Sequence, residues 1–304
     1  MGRDALGGLA AVWLIWGYNW TLMKVAAPYI GPWEFVFLRS AGAMVILLAL
    51  MLVWRRSLAP RPLIPLLLIG LFQGSGMNGL SMAAVWFGSA SKATILVFLM
   101  PFWTVLFARL FLHEPVRRSQ WTAVALGGFG VFLILAPHHG TLVAALGDLF
   151  AIGAGMSWAL GTIVAKWAGA RHKLDAWSIV TWQTIFGTVP LGIASWLIPE
   201  PRIVWSVPLV VTLAYATILA GIVAWVIWLR LLERVSASTA GMGALAIPVI
   251  GIVSAYLQLG ERPQPIQWLG ILAVLAALAI VTTANELRSR RSLVTLSVGE
   301  RSAS

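Results

Sequence analysis

Long runs of apolar residues recur along the whole chain, separated by short stretches rich in proline, glycine and charge. A helix needs about 20 apolar residues to cross the hydrocarbon core of a bilayer. Segments close to this length span residues 6–27, 33–54, 63–87, 91–112, 119–136, 146–167, 175–197, 207–230, 237–259 and 266–284. The pattern predicts an all-α integral membrane protein with ten transmembrane helices.

Composition supports a membrane protein over a soluble one. Of the 304 residues, 60% are hydrophobic and 10% are charged, whereas soluble domains carry about 25% charged residues. The chain has no cysteine, which excludes disulfides and thiolate metal sites. The formal net charge of +11 would also fit nucleic-acid binding, so the positions of the charges have to decide.

The basic residues collect in alternate loops between the predicted spans. If both termini are cytoplasmic, 14 of the 21 Lys and Arg residues fall inside and three (Lys92, Arg202 and Arg262) fall outside. Cytoplasmic loops of membrane proteins carry this excess of Lys and Arg. The bias predicts cytoplasmic termini and explains the positive charge by the lipid bilayer, without nucleic acid. The basic residues 285–304 are predicted to form a disordered cytoplasmic tail.

The chain contains an internal repeat. Residues 89–121 and 236–268, related by a shift of 147, share 11 identities over 33 ungapped positions. The most informative identities pair Pro101 with Pro248, Glu114 with Glu261, and Gln120-Trp121 with Gln267-Trp268. The repeat predicts two halves of five spans each, 6–136 and 146–284.

An odd number of spans in each half means that the two halves run in opposite directions across the membrane. Inverted repeats of this kind are typical of secondary transporters, whose substrate site lies near the bilayer midplane between the halves. Two similar halves of opposite orientation can exchange conformations, which permits alternating access. The sequence therefore predicts a transporter with a central cavity.

The repeated pattern of Ser-Ala-Ser, a mid-helix proline and a glutamate 13 residues after that proline resembles the drug/metabolite transporter superfamily with its paired EamA-type domains. The resemblance covers roughly residues 6–284. The aromatic-rich first span also resembles the YddG-type exporters of bacterial inner membranes. This resemblance implies export of amino acids, aromatic and other neutral ones among them, across the bacterial inner membrane by alternating access.

Pro101 and Pro248 each fall near the centre of a span. Each removes a backbone hydrogen bond and frees a carbonyl group, which must find a partner or a water-lined cavity in hydrocarbon. Because both halves place the proline identically, we expect hinges beside the substrate path. A static kink is the alternative.

Trp16 and Trp158 are paired by a weaker match of 16–24 with 158–166, and both lie in mid-span. Trp usually prefers the membrane interface, where its N–H meets water, so a mid-span Trp needs another partner. A polar central cavity would supply one, and Trp20 shares a helical face with Trp16. Lipid-facing or packing roles are the alternative. Trp103 and Trp225 are further candidates.

Polar residues at membrane depth are the second group of candidates. Asn78 and Ser81 lie in the third span, and Asn19 and Thr162 lie one turn from the paired tryptophans. They are predicted to contact the polar part of a substrate. The alternative for Asn78 and Ser81 is helix–helix bridging among the neighbouring glycines.

Arg39 is the basic residue that lies deepest inside a predicted span. An ionisable residue at this depth is a functional hypothesis by default. It could bind a substrate carboxylate or tie helices together, and its repeat counterpart is Gln183. Because no Asp or Glu lies in mid-span, the sequence predicts facilitated diffusion or coupling through another group.

Other classes of function find little support in the sequence. An intramembrane enzyme would need a nucleophile with a base, a carboxylate pair or metal ligands, and none is visible, so neither cofactor nor metal is predicted. Efflux of lipophilic or quaternary-ammonium drugs is the alternative cargo, since aromatic walls bind such cations. Small residues at Gly127, Gly128 and Gly130 favour packing within the chain over dimerisation. The oligomeric state stays open.

Overall fold

A computed structural model describes residues 3–113, 115–116, 118–135, 142–169, 171–172, 176–232, 246–277 and 279–280. Throughout these described ranges the regular structure is helical, with no β-strand. The predicted all-α fold class is therefore confirmed. Residues 237–245 and 281–284 of the last two predicted spans, Glu114, and the predicted tail 285–304 lie outside the described residues.

Each predicted apolar segment overlaps one helix of the structure, although the described starts and ends differ from the predicted ones. We number these elements α1 Arg3–Ala26, α2 Pro32–Val53, α3 Leu63–Phe87, α4 Ala90–Phe111, α5 Arg118–Leu135, α6 Leu142–Gly169, α7 Ala176–Leu197, α8 (Val207–Ala214, Tyr215–Val223 and Ala224–Leu232 in succession), α9 Ala246–Leu259 and α10 Pro265–Ala277.

The outside of the helical assembly is apolar, as a bilayer requires. Large hydrophobic side chains such as Val53, Leu142, Val207 and Leu257 are at least 75% exposed. Within the described ranges five helices, including α2, α3, α4 and α6, are long and apolar enough to cross a membrane. Monomeric soluble proteins rarely expose so much apolar surface. The chain is a multi-pass membrane protein.

Three helices depart from regular α-geometry near their middle. Gly70–Met77 in α3 and Tyr215–Val223 in α8 are π-helical, and α4 is interrupted at Phe98 and Leu99. π-Helical turns are rare in proteins overall, but those that occur are frequently found at functional sites. The two π-helical segments lie in the third helix of each predicted half, and their presence was not predicted from the sequence.

Helices of the first five pack mainly against helices of the second five. The main pairs are α1 with α9, α4 with α6, α3 with α6, α1 with α8, α3 with α7, α2 with α8, α2 with α7 and α4 with α9. This set is unchanged when every helix is exchanged with the one five places away. The structure thus has the pairwise packing expected of two equivalent halves.

Glycine permits the close contact of α5 with α10. A Cβ atom on Gly130 would lie 2.7 Å from the carbonyl oxygen of Gly270, and one on Gly270 would lie 2.6 Å from that of Gly130. Gly127 faces the ring of Phe102, whereas a Cβ on Gly128 would meet nothing within 4 Å. Gly127 and Gly130 therefore pack within the chain.

The loops at 27–31, 88–89, 198–206 and 260–264 meet at one end of the molecule, which we call the capped end. Val204 donates its backbone N–H to the carbonyl of Tyr29 at 2.8 Å, and Trp86 Nε1 donates to the carbonyl of Ala27 at 3.0 Å. Since odd-numbered helices end here and even-numbered helices begin here, successive helices run in opposite directions.

Candidate functional site

A cavity of about 540 Å³ lies between the two sets of helices at mid-depth. Its wall comes from α1, α2, α3 and α4 on one side and from α6 and α8 on the other. The lining residues are Trp16, Asn19, Trp20, Met23, Arg39, Met77, Asn78, Ser81, Phe98, Trp158, Ala220 and Trp225. We call it the central cavity.

Tryptophan rings form much of the central cavity wall. Trp16 packs edge-on against Trp225 at a centroid distance of 5.3 Å, and Trp158 packs edge-on against Phe98 at 5.6 Å. Trp16 Nε1 donates to the carbonyl of Ala220 at 3.0 Å. The N–H of Trp16 is therefore satisfied by a backbone group of the π-helical segment, and its ring is held in a fixed orientation.

Asn78 holds the end of the π-helical segment of α3. Its Nδ2 donates to the carbonyls of Gln73 at 3.0 Å and Gly74 at 2.9 Å. Asn19 and Ser81 are buried in the same wall, and Asn19 Oδ1 and Ser81 Oγ have no hydrogen-bond partner among the described residues. Buried polar atoms are normally paired, so these two are available to other groups.

A second cavity of about 420 Å³ adjoins the central cavity. We call it the polar cavity. Its lining residues are Arg39, Ser40, Ala43, Gly74, Asn78, Val180, Gln183, Thr184, Gly221 and Trp225. The side chains of Arg39, Asn78 and Trp225 belong to the walls of both cavities. The two neighbouring cavities therefore share part of their wall, and one is largely aromatic while the other is rich in hydrogen-bond donors.

Neither cavity is lined by Asp or Glu. Within the described ranges no group of three or more His, Asp or Glu side chains could hold a metal ion. The chemistry available in both cavities is therefore that of binding: aromatic faces, amide and hydroxyl groups, and the Arg39 guanidinium.

Seven of the predicted site residues (Trp16, Asn19, Trp20, Arg39, Asn78, Ser81 and Trp158) line the central cavity. Thr162 does not: its hydroxyl donates to the carbonyl of Trp158 at 3.0 Å and accepts from Gln73 Nε2 at 3.2 Å, which joins α6 to α3. Pro101 follows the interruption of α4 directly, and Pro248 is a buried residue near the first described turn of α9. Their hinge role stays a prediction.

The sequence did not single out Met23, Met77, Phe98 or Ala220 as lining residues. Met, Phe and Ala are abundant in every apolar span, so their types carry no signal. Phe98 could have been predicted as a lining residue. It lies three residues before Pro101, and a proline often interrupts a helix in this region, next to a cavity.

Carboxylates close the capped end. Glu261 Oε1 and Oε2 accept the backbone N–H groups of Ala90 and Ser91, both at 2.9 Å, at the start of α4. Glu200 accepts those of Trp33 at 2.9 Å and Glu34 at 2.7 Å at the start of α2. Both use the unpaired amides and positive dipole of a helix N-terminus.

Burial raises the pKa of the Glu200 carboxyl above its ordinary value of 4.5. The two backbone hydrogen bonds oppose this by lowering the pKa, and the nearby charge of Glu34 adds to the rise.

An ion pair also lies at the capped end. It joins Lys92 Nζ to Asp148 Oδ2 at 2.7 Å and links α4 to α6.

A helical assembly with an apolar outside, paired halves and a central amphiphilic cavity defines a membrane transporter. The chain belongs to the EamA-like transporter family, whose pattern matches residues 5–136 and again residues 145–283. The predicted family is confirmed. The finer resemblance to YddG-type exporters stays a prediction.

Several relatives cover nearly the whole chain. The "Probable amino-acid metabolite efflux pump" of Escherichia coli is 27% identical over 91% of this chain and 94% of its own. The "Threonine/homoserine exporter RhtA" of Escherichia coli is 30% identical over 84% of each chain. The "Uncharacterized transporter YvbV" of Bacillus subtilis is 29% identical over 90% of each.

One solved structure, titled only "Crystal structure of protein", has the same fold. It aligns with a TM-score of 0.65 at 16% sequence identity and covers 96% of this chain and 99% of its own. At this identity the likeness concerns the fold alone.

Proposed function

We propose that the protein is a secondary transporter that exports amino acids across the bacterial inner membrane by alternating access. In this proposal ten helices span the bilayer as two inverted halves, 6–136 and 146–284, with both termini in the cytoplasm. Neutral amino acids, aromatic ones included, bind in the central cavity. Two of the relatives carry names that refer to amino-acid export.

The observation that carries the proposal is the position and lining of the central cavity. It lies between helices of both halves, and its wall combines Trp16, Trp20 and Trp158 with Asn19, Asn78 and Ser81. An apolar amino acid has a hydrophobic side chain and charged α-ammonium and α-carboxylate groups. This wall offers contacts to both parts. A site between two equivalent halves can open to either side of the membrane in turn.

Lipophilic or quaternary-ammonium drugs are the second candidate cargo. The tryptophan faces of the central cavity favour them, because a cation binds over an aromatic ring. Arg39 opposes them: its positive charge lines the same cavity, and no carboxylate lines either cavity. A bound cation would be repelled at short range in a medium of low dielectric constant. Amino acids are therefore the preferred cargo.

Transport is proposed to follow the substrate gradient. A proton-coupled exporter usually carries Asp, Glu or His at membrane depth, and none lines the two cavities. An uncoupler that collapses the proton gradient should leave the flux unchanged. Strict dependence of the flux on that gradient would reject facilitated diffusion while leaving the cargo undecided.

The direct test is a flux measurement with purified protein in liposomes. The panel comprises phenylalanine, threonine and leucine on one side and tetraphenylphosphonium and a quaternary ammonium on the other. We expect counterflow of amino acids above that of protein-free liposomes and little movement of the cations. Transport of the cations alone would replace the proposal with drug efflux.

A further inference from the structure

We propose that the polar cavity is a carboxylate-binding subsite, in which the Arg39 guanidinium holds the carboxylate of the substrate while the rest of the molecule lies in the central cavity. This inference rests on the proposed function and states which group of the substrate is recognised at this position: a free carboxylate. It assigns to Arg39 recognition rather than the alternative role of tying helices together.

The first argument is that the Arg39 guanidinium is unpaired. In the described part of the chain the guanidinium has neither an ion-pair partner nor a hydrogen-bond acceptor. Only the backbone carbonyl of Arg39 forms a side-chain hydrogen bond in this part of the chain, accepting from Thr217 Oγ1 at 3.3 Å. Arg39 lies seven residues into α2, about 10 Å along the helix. An unpaired cation at this depth is costly, which favours an anionic partner that binds reversibly.

The second argument is that the groups around Arg39 are hydrogen-bond donors. Gln183 is 5% exposed, and its amide has no partner among the described residues. The hydroxyl of Ser40 is likewise unpaired in these ranges and lines the same cavity. A guanidinium, an amide N–H and a hydroxyl together match the acceptor-only carboxylate. Charge-assisted hydrogen bonds of this kind are the strong ones.

The third argument is that the fold brings Arg39 and Gln183 together from equivalent positions. Each lies on the second helix of its predicted half, and α2 packs against α7. A Cβ atom on Gly74 would lie 2.4 Å from the backbone oxygen of Gln183, so this glycine brings α3 close to α7 beside the subsite. The subsite therefore lies at the contact between the two halves, where a ligand can influence their relative position.

The shared wall determines which shape of substrate fits the two cavities. Arg39, Asn78 and Trp225 line both cavities, so a carboxylate in the polar cavity is directly followed by space between tryptophan rings. An α-amino acid has its carboxylate and its side chain this close together. The amide, the methyl ester and the decarboxylated amine of the same amino acid keep the apolar part and lose the charge that Arg39 would bind.

The test compares phenylalanine with phenylalaninamide and phenethylamine as competitors of amino-acid flux, for the wild type and for Arg39→Gln and Arg39→Lys. We expect the wild type to prefer phenylalanine by at least about tenfold, the effect of one charge-assisted hydrogen bond. Arg39→Gln should lose this preference, and Arg39→Lys should keep part of it. Arg109→Gln, on the exposed end of α4, is the matched control and should behave as the wild type.

A second measurement separates recognition from a structural tie and from the proposed function. The thermal midpoint of the empty protein should not fall in Arg39→Gln, because an unpaired charge is removed; a marked fall would overturn the inference. Phenylacetate, a carboxylate without an amine, should raise the midpoint of the wild type and not that of Arg39→Gln. If it does so although no amino acid is transported, the carboxylate subsite stands and the proposed cargo fails. Equal stabilisation of both proteins overturns the subsite.

Discussion

At the scale of single residues, the tryptophan rings of the central cavity are held in fixed positions by their neighbours. Trp16 is oriented by its hydrogen bond to Ala220 and by Trp225 and Trp228, at centroid distances of 5.3 and 5.8 Å. Trp158 is oriented by Phe98. A ring held in place loses little conformational entropy when a ligand binds against it. In the proposed transporter these rings would therefore be in position before a substrate enters.

Truncation of these rings should weaken transport. Trp16→Ala and Trp158→Ala are each expected to reduce amino-acid flux about three- to tenfold, since one aromatic contact supplies about 0.5–1.5 kcal/mol. The measurement is counterflow in liposomes at equal protein content. Trp196→Ala is the control, because that side chain is 84% exposed. Normal flux in both cavity variants would place the site elsewhere.

The titration of Glu200 gives a prediction for pH. Burial raises the pKa of Glu200, so the folded protein favours the neutral carboxyl. The stability from this group is present below its ordinary pKa of 4.5 and is lost as the pH rises through the raised value. The thermal midpoint of the wild type, measured relative to Glu200→Gln, should therefore fall as the pH rises above 4.5. A constant difference between the two proteins would contradict this.

Sequence reasoning named seven of the residues that line the central cavity, for physical reasons visible at particular residues. Trp16, Trp158 and Arg39 were found because indole N–H groups and charge are costly in hydrocarbon. Thr162 was expected in the cavity, yet its hydroxyl joins α6 to α3 through Gln73. A threonine can satisfy its hydroxyl on its own helix or on a neighbour, so depth alone does not show where it points.

At the scale of elements, the apolar pattern was sufficient to locate the helices of the described residues, because each of them contains a long apolar stretch. Local geometry was not predictable in the same way. The π-helical segments Gly70–Met77 and Tyr215–Val223 depend on contacts from other helices, such as Trp16 to Ala220 and Ser157 Oγ to the carbonyl of Phe72 at 2.8 Å. Such contacts join residues far apart in the chain.

The contact of α5 with α10 can be tested with two glycines of one helix. Gly130→Ala should lower the thermal midpoint, because its Cβ would overlap backbone atoms of α10; overpacking costs about 1–3 kcal/mol. Gly128→Ala has open space and should be neutral or stabilising by up to about 1 kcal/mol, since Ala favours the helix. Equal effects of the two substitutions would reject tight packing at Gly130.

At the scale of the whole molecule, the capped end ties the two predicted halves together. Glu200 and Glu261 lie in loops of the second half and hold the starts of α2 and α4 in the first. Lys92 and Asp148 add an ion pair between α4 and α6. The charge bias of the loops predicts that this end faces away from the cytoplasm. The orientation of the protein in the membrane therefore determines whether these contacts close the cytoplasmic or the opposite side.

The absence of cysteine from the chain allows a direct measurement of orientation. Ser57→Cys lies in the exposed loop between α2 and α3, and Gln264→Cys lies in the exposed loop at the capped end. In intact cells a maleimide that does not cross membranes should label Gln264→Cys and not Ser57→Cys, and both should react once the membrane is permeabilised. The unaltered chain gives no background. Labelling of Ser57→Cys alone would mean that the orientation is opposite to the predicted one. Labelling of both in intact cells would mean that these loops lie on the same side of the membrane. Opposite sides for these two loops require that an odd number of the seven helices α3 to α9 cross the bilayer, as the ten-span arrangement predicts.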